Sequence, residues 1–145
     1  MKQRYSYWLP MFLVLPSLVS CIAFNTPDIV LKNDGQPCIS IPLDGNFIRR
    51  NKQFKIIFTD VFQTGVGELW SKDYEDSSKP YYVKTQECLR FDYHFQNNIT
   101  YTIGFISTEK GNNKNKHWRA DIRINKNQDG TVQLLLDEHA RDAAK

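Results

Sequence analysis

Three cysteines, Cys21, Cys38 and Cys88, are the residues of this chain whose type and position point most directly to chemistry. In an exported protein, a cysteine pair tends to form a disulfide bond. The three histidines are scattered along the chain, at His94, His117 and His139. The sequence contains neither the Cys-x-x-Cys or His-x-x-x-His spacing of a metal site nor the Gly-x-Ser-x-Gly motif of a nucleophile. We therefore predict no catalytic residues, no metal, no cofactor, and a protein that is not an enzyme.

One cluster of acidic residues, Asp73, Glu75 and Asp76, lies in a stretch that also contains serine and proline. Carboxylates are the ligands that calcium prefers, but acidic residues in such a loop are usually solvated, and we interpret them in that way. Aromatic residues surround the cluster, at Trp70, Tyr74, Tyr81 and Tyr82. Tyrosine and tryptophan are enriched in protein interfaces, yet they are equally typical of edge-strand packing, and both interpretations stay open.

The N-terminal 20 residues have the pattern of an export signal. Lys2 and Arg4 precede an apolar run over residues 8–19, which is interrupted by two prolines and is shorter than the ~20 residues of a membrane-spanning helix. A charged start, a short apolar segment and small residues before a cleavage site are typical of a signal that is removed. Residues 18–21, Leu-Val-Ser-Cys, also resemble the bacterial lipobox, in which the cysteine is acylated and becomes the new N-terminus. We predict a lipoprotein signal peptide over residues 1–20 and lipidation of Cys21; the alternative is an ordinary signal with an incidental cysteine.

Export changes the interpretation of the two remaining cysteines. In "PCISIPL" (37–43), the apolar residues occupy every second position and Cys38 lies at one of the positions between them. Cys88 has the same relation to the apolar residues of "ECLRFDY" (87–93). Because strand side chains alternate between faces, both thiols should lie on the face away from the core. We predict a Cys38–Cys88 disulfide between neighbouring strands; the alternative is two free thiols.

The charge of the chain excludes one class of partner. The full sequence has 19 Lys and Arg against 16 Asp and Glu, and Lys2 and Arg4 belong to the signal. The remaining chain keeps 17 basic residues against 16 acidic ones, a net charge of +1. A near-neutral domain lacks the strong basic character of nucleic-acid-binding proteins, so we predict no nucleic-acid partner.

The rest of the chain alternates as strands do, and no window shows a sustained helical period. "HWRADIRIN" (117–125) places four apolar residues on one face, and the polar connection before it makes a hairpin with "YTIGFIST" (101–108). "FKIIFTDVF" (54–62) is apolar on both faces, as is typical of a central strand. We predict a lipidated N-terminus with a short tether over residues 21–27, a β-sandwich domain over 28–137, and a flexible C-terminal tail over 138–145.

The segment "FQNNITYTIGFIST" refines the fold class. Its polar turn followed by Tyr-x-Ile-x-Phe resembles the corner before a late strand in fibronectin type III and immunoglobulin-like domains, where a tyrosine hydroxyl bonds to the upstream backbone. Tyr101 is that tyrosine here, and a plain core tyrosine is the alternative. Many short strands separated by turns favour the same class. We therefore predict an all-β, immunoglobulin/fibronectin-III-like antiparallel sandwich of about seven or eight strands.

The order of these features resembles a family of type VI secretion immunity lipoproteins of the bacterial periplasm. The matching pieces are the lipobox, Cys-x-x-Ile-Pro from Cys38, "GELW" (67–70), Cys88 before an apolar strand, and "ADIRINKNQDGTVQ" (120–133). The resemblance implies a protein that binds and neutralises a secreted antibacterial effector acting in the periplasm. The alternative is a structural or accessory lipoprotein of an envelope secretion assembly. Since Ile22, not aspartate, follows Cys21, we predict a lipid anchor in the outer membrane, facing the periplasm.

Overall fold

A computed structural model describes residues 23–43 and 52–145 of the chain. These residues form eight strands and one helix: β1 (Asp28–Leu31), β2 (Pro37–Ser40), β3 (Gln53–Gln63), β4 (Gly67–Asp73), β5 (Tyr81–Lys84), β6 (Thr100–Glu109), β7 (Asn115–Lys126), β8 (Val132–Leu136) and α1 (Asp137–Asp142). The predicted signal peptide (1–20) and the lipidation site at Cys21 lie outside the described residues. Within the described ranges, no helix has the length and apolar character needed to cross a membrane.

Two antiparallel sheets build the domain. The larger sheet has the order β4-β3-β6-β7-β8. Strands β4 and β5 share one edge of β3: β5 pairs with the first half of β3, and β4 pairs with its second half. The smaller sheet is the β1–β2 pair, and residues 86–89 run beside it because Gln86 N–H donates to Ile41 O and Leu89 N–H to Ile39 O, both at 2.8 Å. The predicted all-β, immunoglobulin/fibronectin-III-like sandwich is confirmed.

The core lies between the two sheets and is built by side-chain alternation. On β6 and β7, each second residue points inward, and Ile103 and Ile122 are completely buried. Ile39 of the smaller sheet is 1% exposed and closes the core from the other side. Fully burying one such side chain stabilises the fold by about 1.5–3 kcal/mol, so these alternating positions fix the register of the strands.

A bulge in β3 reverses which of its residues face the core. Ile56 pairs with Ser107 and Phe58 with the neighbouring Ile106, so Ile57 is an extra residue with no partner on β6. Before the bulge, even-numbered residues point inward, and after it Thr59 and Val61 do so, both with no exposure. The apolar residues on both parities of this strand thus reflect a change of face at Ile57.

The predicted tyrosine corner and disulfide are both present. Tyr101 is 1% exposed, and its hydroxyl oxygen accepts a hydrogen bond from Gln96 N–H at 3.1 Å. Desolvation and a side-chain hydrogen bond with Tyr101 raise the pKa of neighbouring Tyr93 to about 12, so the Tyr93 phenol stays neutral at physiological pH. Cys38 and Cys88 form a disulfide with Cα atoms 5.0 Å apart, which joins β2 to the segment that runs beside it.

Two predicted elements differ in the structure. Residues 87–93 form no regular strand, although Leu89 is buried and two further aromatic residues of the predicted inward set pack against the core. Rather than a flexible tail over 138–145, the chain forms α1, whose Ala140 is completely buried and whose Ala140 O accepts a hydrogen bond from Thr100 Oγ1 at 3.0 Å. Tertiary contacts stabilise this helix, because six residues are too few for a helix that stands alone.

The tether predicted over residues 21–27 is attached to the sheet along part of its length. Asn25 pairs in parallel with Trp118 of β7: Asn25 N–H donates to His117 O at 2.8 Å, and Arg119 N–H donates to Asn25 O at 3.0 Å. The domain therefore begins at Asn25, three residues earlier than predicted. Only residues 22–24 separate Cys21 from this first attachment, and the free length falls from six residues to three.

Candidate binding groove

The outer face of the larger sheet, turned away from the core, carries three rows of side chains across β3, β6 and β7. Strand pairing places Phe58, Ile106 and His117 in the first row, Asp60, Gly104 and Arg119 in the second, and Phe62, Thr102 and Asp121 in the third. The bulge at Ile57 causes this arrangement, because after it Asp60 and Phe62 point outward while Val61 between them points into the core. A central strand thus contributes two phenylalanines and a carboxylate to a surface instead of the core.

All residues of these rows except Asp121 line a groove of about 340 Å³. Phe24, from the N-terminal segment that pairs with β7, forms one rim and is 52% exposed, while Phe62 is 42% exposed on the other side. Phe24 is held by two contacts: its ring meets His117 edge-on at 6.5 Å, and the Arg119 guanidinium lies 5.6 Å from its centroid. The groove is therefore built by three strands and the attached N-terminal segment together.

Asp60 and Arg119 lie on either side of Gly104 at the floor of the groove. Gly104 is the cross-strand partner of both residues, and a Cβ atom added to it would clash with Asp60 Oδ1. A side chain at this position would displace the Asp60 carboxylate, which occupies the space beside the glycine. Among the described residues, Asp60 forms no ion pair within 4.0 Å, so Arg119 acts on it from a longer distance.

The groove environment changes the acidity of Asp60. Burial raises the pKa of this carboxyl above its ordinary value, and the nearby Glu68 charge acts in the same direction, while the Arg119 guanidinium opposes both. A half-buried carboxylate without a close cation is costly in the free protein. A partner that supplied a hydrogen-bond donor or a positive charge would remove that cost, which gives the groove a basis for selectivity.

Asp60→Asn is expected to raise the free energy of unfolding at pH 7. Because the folded-state pKa lies above the ordinary value of 3.8, ionised Asp60 destabilises the fold at neutral pH. The increase in the free energy of unfolding should shrink as the pH falls through the folded-state pKa. It should vanish below pH 3.8, where the carboxyl is protonated in both the folded and the unfolded state. Urea unfolding at pH 7 and at about pH 3 measures the difference.

Asp129→Asn is the control with the opposite sign. Hydrogen bonds from Thr131 lower the pKa of the Asp129 carboxyl, so its charge stabilises the fold above the ordinary pKa, and that stabilisation is lost as the pH falls through the lowered value. This variant should be less stable than the natural chain at pH 7. A loss of stability at pH 7 in both variants would contradict the assignment of Asp60 as a destabilising carboxylate.

The residues singled out from the sequence lie in several different places. Of the aromatic set, Tyr74 is buried, Trp70 and Tyr81 pack against the core, and only Tyr82 is strongly exposed, at 45%. Edge-strand packing is thus the correct interpretation for three of the four. Asp73 accepts a hydrogen bond from Glu75 N–H at 2.7 Å in its turn. Residues 23–43 and 52–145 contain no group of three or more His, Cys, Asp or Glu arranged to hold a metal ion.

Sequence reasoning did not identify the groove. Of the three histidines, His117 lines it, while His94 and His139 are exposed elsewhere. The one sequence feature that pointed to the groove was the outward position of Arg119 in the alternating pattern of β7. Its neighbours in the groove, Gly104 and Asp60, could not be identified because the pairing of Asp60 with Gly104 depends on the bulge in β3. The arrangement offers an apolar surface with exposed phenylalanines, one carboxylate and one guanidinium, which are the components of a binding site.

Comparison with known families gives one match. Residues 24–127 match the family model described as "Domain of unknown function (DUF7480)". The match begins at Phe24 on the groove rim and ends just after β7, so it includes every strand that lines the groove. No curated protein and no solved structure matches the chain significantly.

Proposed function

The chain belongs to the DUF7480 family, whose function is unknown, and we propose that this member is a periplasmic immunity lipoprotein that binds and neutralises a type VI secretion effector. The lipobox-like end and the motif order of the sequence support the compartment and the class of partner. Protection by binding requires a rigid scaffold and a complementary surface, and no catalytic step. A disulfide-bonded sandwich with an open groove on one sheet meets both requirements.

The observation that carries this proposal is the exposure of Phe24 and Phe62 on opposite rims of the groove. A phenylalanine that is 42–52% exposed leaves apolar area in water, and a partner that covers both rings removes that area from solvent. Asp60 and Arg119 on the floor add a fixed pattern of opposite charges, which favours one partner over another. We propose that the effector contacts this groove.

Deletion of the gene should sensitise a strain to attack by sister cells that carry the effector, and to periplasmic production of that effector. Complementation with the natural chain should restore survival, and the purified protein should form a one-to-one complex with the effector. Replacement of His94 or His139 should be tolerated, because both lie outside the groove. A deletion strain that resists every effector of its sister cells would contradict the proposal.

Phe62→Ser and Tyr82→Ser form a matched pair that tests the groove itself. The two aromatic residues have similar exposure, 42% and 45%, but only Phe62 lines the groove. Phe62→Ser should weaken effector binding at least about fivefold, since truncation of an aromatic residue that anchors an interface costs more than about 1 kcal/mol, whereas Tyr82→Ser should leave binding unchanged. Calorimetry with the purified effector measures both, and equal losses in the two variants would place the interface elsewhere. Capture of secretion-apparatus components without any effector would favour the accessory-lipoprotein alternative.

A further inference from the structure

The direction of the N-terminal segment identifies one end of the sandwich. Asn25 pairs with β7 in parallel, so the chain before it runs toward the start of β7 and the turn that joins β6 to β7. Phe24 lies between His117 and Arg119, which agrees with that direction. The described chain therefore begins, at Ala23, at the end of the sandwich that carries this turn.

The same end is rich in lysine. Its five lysines lie at the start of β3, the end of β5 and the β6–β7 hairpin: Lys52, Lys84, Lys110, Lys114 and Lys116. Strand pairing brings these positions together, because Gln53 pairs with Lys84, and Lys110 donates to Gln53 O at 2.8 Å and to Gln53 Oε1 at 3.3 Å. We call these five lysines the basic end.

Acidic residues offset this charge only in part. Glu109 forms an ion pair with Lys52 at 2.6 Å, and Glu87 accepts a hydrogen bond from Lys84 N–H at 2.9 Å. Five lysines and two glutamates give a net charge of +3. The described residues carry 15 basic and 15 acidic side chains, so those outside the basic end have a net charge of −3. The described domain is thus electrically polar, with its positive end where Ala23 lies.

A cleft at the basic end adds apolar surface. Lys52 and Lys116 line a cleft of about 240 Å³ together with Thr85 and Leu43, and Leu43 is 42% exposed. Two ammonium groups beside an exposed leucine suit the boundary between lipid headgroups and acyl chains, because the charges attract phosphate while the apolar side chain enters the interface.

We propose that the basic end binds the anionic headgroups of the membrane surface. The inference does not depend on the effector, and it fits the predicted lipid at Cys21, since a chain anchor and a basic patch act together in membrane attachment. A lysine near an anionic surface strengthens association by about fivefold. Contact at this end orients the domain, so the groove on the sheet face points sideways, open to the periplasm, instead of toward the lipid.

Lysine footprinting on the mature protein, isolated from cells and reconstituted into vesicles, tests this proposal. In vesicles of equimolar phosphatidylglycerol and phosphatidylcholine, the five lysines of the basic end should react with an amine-selective reagent about fivefold more slowly than in pure phosphatidylcholine. Lys32, Lys126 and Lys145, which lie outside the basic end, should react equally in both. Salt at about 1 M, where the Debye length is about 3 Å, should abolish the difference.

Charge reversal at matched positions completes the test. A triple variant should remove the protection of Lys52 and Lys84; it combines Lys110→Glu, Lys114→Glu and Lys116→Glu. All three replaced side chains are exposed, so the substitutions reverse the charge of the basic end without changing the core. Lys32→Glu, Lys126→Glu and Lys145→Glu combined make the same change in net charge and should leave the protection intact. Equal reactivity of the basic end in the two vesicle types, or equal effects of the two triple variants, would overturn the proposal.

Discussion

Replacing Cys38 and Cys88 together by alanine is expected to lower the free energy of unfolding by about 4 kcal/mol, the chain-entropy value for a closed loop of this size. The two residues are 50 positions apart, and the loop between them contains β3, β4 and β5. The disulfide also fixes residues 86–89, which form only two backbone hydrogen bonds with residues of the β2 segment. Urea unfolding of the natural and double-alanine chains measures the difference.

Reduction of the natural protein provides the control for this variant. A reductant should lower the stability of the natural chain to that of the double-alanine chain and should leave the variant unchanged, because the covalent link is what differs. The packing lost with the replaced side chains is limited: Cys38 is 7% exposed but lies outside the hydrophobic core cluster, and Cys88 is exposed. A difference below about 1 kcal/mol would show that native-state strain or residual unfolded-state structure offsets the chain-entropy effect.

Local alternation in the sequence predicted most of the fold. On β6 and β7, the apolar residues repeat with a period of two and pair as a hairpin, so their inward faces follow directly from the pattern. The Tyr101 corner and the Cys38–Cys88 bridge were predicted for the same reason, since each depends on the face to which a strand residue points. The strand predicted over residues 87–93 was wrong, because these residues form no regular ladder, but their inward parity was right, since Leu89, Phe91 and Tyr93 lie in or against the core.

The groove could not be predicted from the sequence because it depends on a register that no local pattern reveals. The extra residue Ile57 determines that Phe58 and Asp60 face outward, yet "FKIIFTDVF" reads equally well as a strand buried on both faces. Asp60 and Arg119 are 59 positions apart and meet only through their shared partner Gly104. Helix α1 was missed for a similar reason, since its stability comes from the burial of Ala140 against the sheet and not from its own sequence.

Cys21→Ser is expected to abolish fatty-acid incorporation and to leave the signal peptide uncut by the lipoprotein route, because serine has no thiol to acylate. The attached acyl chains contribute about 0.8 kcal/mol for each buried methylene, and stable anchoring needs two signals. Metabolic labelling with a fatty acid, followed by membrane fractionation, should find the label on the natural chain in the outer membrane and none on the variant. A natural chain that is unlabelled and soluble would contradict the lipoprotein assignment.

Ser20→Ala is the matched control, because it keeps a small residue before the cysteine and should preserve both cleavage and labelling. The structure indicates how loss of the lipid anchor would change the position of the groove. Four Cα–Cα steps separate Cys21 from Asn25, a reach of about 14 Å when extended, so an acyl anchor at Cys21 would hold the Phe24 rim of the groove close to the bilayer. Cys21→Ser should therefore lower protection of the deletion strain even where the sandwich remains folded and binds the effector in solution. Full protection by the unlabelled variant would show that binding in the periplasm suffices and that position at the membrane contributes nothing.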